Sequence, residues 1–238
     1  MKPNYRSFLL LVGVCIVAIQ FCSVAAEQVS SDGESFHYHI DHERWGRLGT
    51  FSNTIQRRGD LIEVGSRLRA KLKFIITLHS ERADRKEIWS NGRLVSFHSE
   101  TILNGDVIRI QGRAKDGSFM IYTTDGILEA PADVIPTNPW STDVLNARFV
   151  MGTTRGSVVA VTLATRDNQI VHLDGQSLQA RHLRLLPRGD PGMMPFPQEV
   201  WFDQHGIPIM FSVVKDGKRI TFTMSNYEEA LKKRQNEN

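Results

Sequence analysis

The chain has 238 residues, with 29 Lys and Arg against 26 Asp and Glu and a formal charge of +3 at pH 7. That near-balance gives no electrostatic footprint for nucleic acid. Both cysteines, Cys15 and Cys22, fall within the first 26 residues, so the chain beyond them has no disulfide, no thiol nucleophile and no cysteine-ligated metal.

Residues 1–26 read as a secretory signal peptide. Lys2 and Arg6 form a positive n-region, Phe8 to Phe21 is an apolar run broken only by Gln20, and Ser23-Val24-Ala25-Ala26 offers a small-residue cleavage site. The run is short against the roughly 20 residues of a membrane span. Phe21 is too large to precede an acylated Cys22, which excludes a lipoprotein site. Export with cleavage near Ala26 is the expectation, and it leaves 212 of the 238 residues, enough for one sizeable domain. Residues 27–35 are a polar, flexible leader, 36–225 a single β-rich domain, and 226–238 a polar tail with helix for a few turns at most.

Phe36 to Trp45 reads as a first strand, with Phe36, Tyr38 and Ile40 on one face. Gly46 to Gly49 supplies a turn, and Thr50 to Gln56 returns. Leu61 to Leu78 is the longest strand expected: Leu68, Ala70, Leu72, Phe74, Ile76 and Leu78 share one face, and Arg67, Arg69, Lys71 and Lys73 the other. Glu81 to Trp89 is a charged strand or a short helical turn. Asn91-Gly92, Asn104-Gly105, Asp116-Gly117 and Asp125-Gly126 then punctuate short strands. Such dipeptides suit type I′ hairpins, because both central residues need positive φ. Asn138-Pro139 resembles a helix N-cap followed by proline at N1. Trp140, Val144, Leu145 and Phe149 follow at helical spacing, which predicts a short helix over Pro139 to Arg148 packed on the concave side of the sheet. Strands resume over Gly156–Thr165, Gln169–Leu173 and Gln176–Leu186. From Glu199 to Met224 a closing meander turns at Gly206 and Asp216-Gly217. The fold predicted is mainly β: one large curved antiparallel sheet, a half-barrel or open barrel of about 11–13 strands, with one short helix on its concave side.

Several pieces are similar to an uncharacterised family of exported bacterial proteins. The closing EVWFDQHGIPIMFSVVKDGKRITFTM resembles that family's Trp-aromatic-Asp, Gly, Asp-Gly, Ile-aromatic pattern. Gly46 and Gly49, the segment EIWSNGRLVSFHSET, and PTNPWSTDVLN before Gly156 fit it too. The resemblance covers roughly residues 36–225 and implies a periplasmic domain of unknown function. It also implies a likeness to the half-barrels of periplasmic lipoprotein carriers, in which a curved sheet wraps helices around an apolar cavity. It transfers no activity and no residue role.

Three groups of residues are candidate sites. His37, His39 and Asp41 share a strand face about 7 Å apart from one to the next, as two imidazoles and a carboxylate would for a metal, although the outer face of a first strand is polar in any case. Arg67, Arg69, Lys71 and Lys73 make four cations in a row, suited either to cross-strand pairing with Glu81, Asp84 and Glu87 or to contact with anionic lipid headgroups or another acidic envelope polymer. Met193, Met194 and Phe196, set among Pro191, Pro195 and Pro197, form an apolar loop that either plugs an open end of the sheet or serves with Trp140 as a ligand-binding lip. Trp45, Trp89, Trp140 and Trp201 read as core aromatics.

No Gly-x-Ser-x-Gly elbow, P-loop or His-Glu-x-x-His occurs, so a non-enzyme with no cofactor is the expectation. The leading reading is an exported envelope protein that holds an apolar or amphipathic, lipid-like ligand in the curve of the sheet. The alternative is a structural or protein–protein interaction module of the envelope, recognisable by a filled interior and an exposed edge strand. A metal-dependent enzyme on the His37, His39 and Asp41 face stands furthest off.

Overall fold

The computed structural model describes residues 33–73, 77–189 and 198–236. Its strands are β1 (Glu34–His42), β2 (Gly46–Arg58), β3 (Leu61–Lys73), β4 (Thr77–Ser90), β5 (Arg93–Leu103), β6 (Asp106–Lys115), β7 (Ser118–Thr123) and β8 (Gly126–Pro131), then β9 (Ile135–Pro136) and β10 (Phe149–Met151) on either side of a 3-10 helix at Thr142–Asn146. They continue as β11 (Val158–Leu173), β12 (Gln176–Pro187), β13 (Glu199–Phe202), β14 (Pro208–Lys215) and β15 (Lys218–Met224), and helix α1 (Tyr227–Asn236) follows. Asn91-Gly92, Asn104-Gly105, Asp174-Gly175 and Asp216-Gly217 each have positive φ at both residues, as a type I′ turn needs. At Asp116-Gly117 only the aspartate has positive φ and at Asp125-Gly126 only the glycine, so these two dipeptides do not form the expected type I′ turn.

All fifteen strands lie in one sheet, in the order β8-β7-β6-β5-β4-β3-β2-β1-β15-β14-β13-β12-β11-β10-β9. Pairing is antiparallel except between β9 and β10. The two edge strands are sequence neighbours, joined only by residues 132–134. Laid flat, such a sheet would measure about 70 Å from edge to edge at ~4.8 Å per strand, whereas four residue steps reach about 14 Å at most. The sheet therefore curls almost onto itself and stays unpaired along one seam. This is the open barrel expected, with extra strands from the short β9 and β10.

Strict alternation fixes which side faces in. On β1, Phe36, Tyr38, Ile40 and His42 are buried, as expected for the apolar set. The rings of Tyr38, Phe51, Phe211 and Phe222 pack together inside with centroids 4.4–5.8 Å apart. Over β2 to β7 the concave side is covered by the chain itself. The strap from Pro136 to Gly156 crosses it, contacting Asn53, Ser66, Glu87, Ser99 and Ile121. Helix α1 docks through Tyr227, whose hydroxyl donates to Asp203 at 2.9 Å, and through Arg234, which forms two hydrogen bonds with the buried Glu34.

Some local expectations change. The first turn is Glu43–Trp45, ahead of Gly46, and it leaves Trp45 48% exposed, not in the core. Trp89, Trp140 and Trp201 are buried as expected, the last stacked on His182 at 4.2 Å. The strand expected through Leu78 ends at Lys73, and β4 starts with Thr77 paired to it. The short helix is a single 3-10 segment, its first turn closed by Ser141 Oγ accepting from the Asp143 N–H at 3.1 Å. Asn138 cannot cap it, because its side chain is committed to the sheet.

Candidate functional site

Register places four polar residues in one row across the concave face: Asn53 pairs with Ser66, Ser66 with Arg85, and Arg85 with Ser99. Glu87 lies two residues along β4 on the same face, with Trp89 two further on. All of these side chains are buried or nearly so. A buried carboxylate must find hydrogen bonds or be neutralised, and Glu87 finds three. Asn138 Nδ2 donates to Oε1 at 2.9 Å, while the indole N–H groups of Trp89 and Trp140 donate to Oε2 at 2.9 and 3.0 Å. Asn138 also bridges to Ser66 Oγ at 2.9 Å and accepts from Asn53 Nδ2 at 2.9 Å. Burial pushes the Glu87 carboxyl above its ordinary range, against the downward pull of these donors and of Arg85.

The cluster is therefore a dock. Two of the three donors to Glu87 come from the strap, and the guanidinium of Arg57 on β2 lies 5.8 Å from the Trp140 ring centroid. Further along, Ser99 Oγ donates to the Thr153 carbonyl at 2.9 Å, and Gly156 fits against Ile121 and Thr123. Arg85 is buried beneath the strap with Glu81 at 4.0 Å, and burial pulls its guanidinium below its usual value while Glu81 and Glu87 oppose that. Both Glu87 oxygens already accept, so proton transfer to an incoming molecule would require breaking the dock.

The sequence candidates fall elsewhere. His37, His39 and Asp41 lie on the outer face of β1, where Asp41 pairs with Arg47 at 2.9 Å. Among the described residues, no group of three His, Cys, Asp or Glu is arranged to hold a metal. Arg67 and Arg69 both bind Asp84, at 3.2 and 2.8 Å, as cross-strand pairing predicted. Lys71 is exposed and Lys73 closes β3. Glu87, named alongside Asp84 as a partner for those cations, points the opposite way. Residues 84 and 87 differ in parity along β4, and the alternation Glu87-x-Trp89 was the available sign that Glu87 belongs inside. Trp140 lies in the dock, buried. Met193, Met194 and Phe196, and residues 1–26, lie outside the described residues.

Among the described residues, β8 has a strand partner on one side only, β7. Its first four residues are exposed, and Tyr122, Ile127 and Leu128 on the β7–β8 hairpin are 41%, 62% and 46% exposed. Tyr122 pairs with Ile127 on the outer face, while Leu128 pairs with buried Ile121 on the inner one.

The sequence profile of a domain of unknown function, DUF6134, matches residues 46–225. Among solved structures, the chain is similar to a β-barrel-like protein of another domain of unknown function, DUF1849, from Brucella abortus. The TM-score is 0.55 at 10% identity, over 81% of this chain and 95% of that one, a likeness of fold. Among curated proteins nothing matches.

Proposed function

The chain belongs to the DUF6134 family, and from that premise we propose that it is a non-enzymatic interaction module of the cell envelope. On this reading it is exported by its leader and recruits an envelope protein by adding an extended segment of that partner to β8. The observation that carries the reading is the pairing of an occupied interior with a free edge. A carrier would need the concave surface over β2 to β7 that Asn138, Trp140 and Gly156 occupy. A strand-adding partner needs a row of unpaired backbone groups beside apolar side chains, which β8 offers through Ile127 and Leu128.

A photo-crosslinking residue at position 127 tests this in the exporting cell, with position 170 on β11 as control, since Ile170 is equally exposed at 63%. A discrete adduct from 127 and none from 170 supports strand addition, and Glu129→Pro, which removes an N–H on the unpaired side of β8, abolishes it. Equal labelling at both positions overturns the proposal. A lipid that co-purifies stoichiometrically in native mass spectrometry would overturn it in favour of the carrier.

A further inference from the structure

The β1–β2 and β14–β15 hairpins turn at the same end of the sheet, side by side, because β1 pairs with β15. Glu43 fastens the two tips together. Its N–H donates to the Arg219 carbonyl at 3.0 Å, its carboxylate accepts from the Arg219 N–H at 3.0 Å, and Lys218 Nζ lies 3.3 Å from it. Those bonds, led by the one from the Arg219 backbone, hold the Glu43 carboxyl below its usual range. Asp41 is likewise taken by Arg47. These two acids of the corner are spent internally.

Its cations are not. Among the described residues, no carboxylate pairs with Arg44, Lys71 or Lys215, all in exposed positions around the two tips. Lys71 comes one residue after the Gly49–Ala70 pair on β3 and so flanks the start of β2. Counting Arg47, Lys218 and Arg219, six cations meet four carboxylates, those of Asp41, Glu43, Asp216 and Glu199, the last paired with Arg219. At the apex stands Trp45. Its ring is fixed by stacking on His42 at 4.2 Å and has the Arg44 guanidinium 6.0 Å from its centroid, yet it is 48% exposed.

We propose that this corner seats the protein on an anionic lipid surface, with Trp45 entering the headgroup layer and Arg44, Lys71 and Lys215 meeting lipid phosphates. An indole suits that boundary because it is apolar with one polar N–H, and cations beside it are drawn to the negative surface potential. The corner is built from two adjacent hairpin turns, Glu43–Trp45 and Asp216-Gly217. Among the described residues no helix is long and apolar enough to cross a membrane, and this contact is peripheral. It does not depend on the β8 edge.

Vesicles of phosphatidylglycerol and phosphatidylcholine in equal parts, beside phosphatidylcholine alone, test it with protein recovered after export. Retention on the anionic vesicles, lost at high salt, is expected. Trp89, Trp140 and Trp201 are buried, so a blue shift of emission on binding reports Trp45. Trp45→Ala and the double variant Arg44→Glu with Lys215→Glu each weaken retention about tenfold or more. Their circular dichroism stays that of wild type; the double variant, at two exposed positions, also keeps the wild-type unfolding midpoint, whereas Trp45→Ala uncovers His42 and lowers it. Equal retention on neutral vesicles, no retention, or variants that bind as wild type would overturn the proposal. So would retention on heparin but not on vesicles, which assigns the corner to a soluble polyanion.

Discussion

Asn138 donates a hydrogen bond from Nδ2 to Oε1 of Glu87 at 2.9 Å, joining residues 51 apart in sequence and fastening the strap to β4. Removing the acceptor leaves the Asn138 amide and the indoles of Trp89 and Trp140 without it in a dry interior. Glu87→Leu is expected to destabilise by about 3–5 kcal/mol. Glu87→Gln keeps the shape but presents an amide donor to a site that needs acceptors, and should cost about 1–3 kcal/mol. Urea unfolding of both variants checks the order; a leucine variant as stable as wild type would refute the dock.

The same carboxylate sets a pH dependence. Burial raises the Glu87 pKa, so the native chain binds this proton more tightly than the unfolded chain does. The stability linked to it is fully present below the unfolded carboxyl range and is lost as pH rises through the raised native value. Asp84 and Glu199 are shifted down and act in the opposite sense, but they do so in wild type and Glu87→Gln alike. The stability difference between those two proteins should therefore shift in favour of wild type on acidification from about pH 7.5 to about pH 4.5. Unfolding midpoints at the two pH values measure it, and a difference that stays constant would contradict the sign.

Gly156 has φ +74°, and a Cβ there would lie 3.0 Å from the methyl groups of both Ile121 and Thr123. Gly156→Ala combines left-handed strain with crowding and should cost about 1–3 kcal/mol. Gly65→Ala is the control, since nothing lies within 4 Å of a Cβ at that position. Thermal unfolding of the pair should show only the first lowered.

Two ion pairs of similar length should differ sharply. Arg234 meets the Glu34 carboxylate at 2.7 and 2.8 Å, and Glu34 is 1% exposed. Arg234→Ala leaves that charge buried and should cost about 3 kcal/mol, with fraying of α1. Arg69 and Asp84 also meet at 2.8 Å, but the Asp84 side chain is 58% exposed. Asp84→Asn should cost less than about 1 kcal/mol. Denaturant melts and hydrogen exchange across α1 distinguish the two cases.

Period-2 alternation and hairpin dipeptides were legible because they act locally: Phe36, Tyr38 and Ile40 face inward, and Asp216-Gly217 turns. The Lys73–Thr77 pairing was not legible, because the Phe74-Ile75-Ile76 between those residues contains no turn former and the apolar alternation runs straight through to Leu78. The Glu87 dock was hidden for another reason. Its members, Asn53, Ser66, Glu87 and Asn138, come together only through sheet register and the crossing strap. Trp45 was misplaced because apolar character alone does not say on which side of a turn a ring settles.

The pairing of β1 with β15 has a consequence for assembly. Every other strand pairing in β1 to β8 is between successive strands, and β10 to β15 repeat that pattern, so the ladders of each half can zip up from short-range contacts. The β1–β15 pairing joins Tyr38 to Met224, and during synthesis it must wait for nearly the whole polypeptide to emerge. Until then β1 stands as an open edge beside a finished hairpin, the stage at which mispairing between chains is most probable. The first strand to be made is the last to have both of its neighbours.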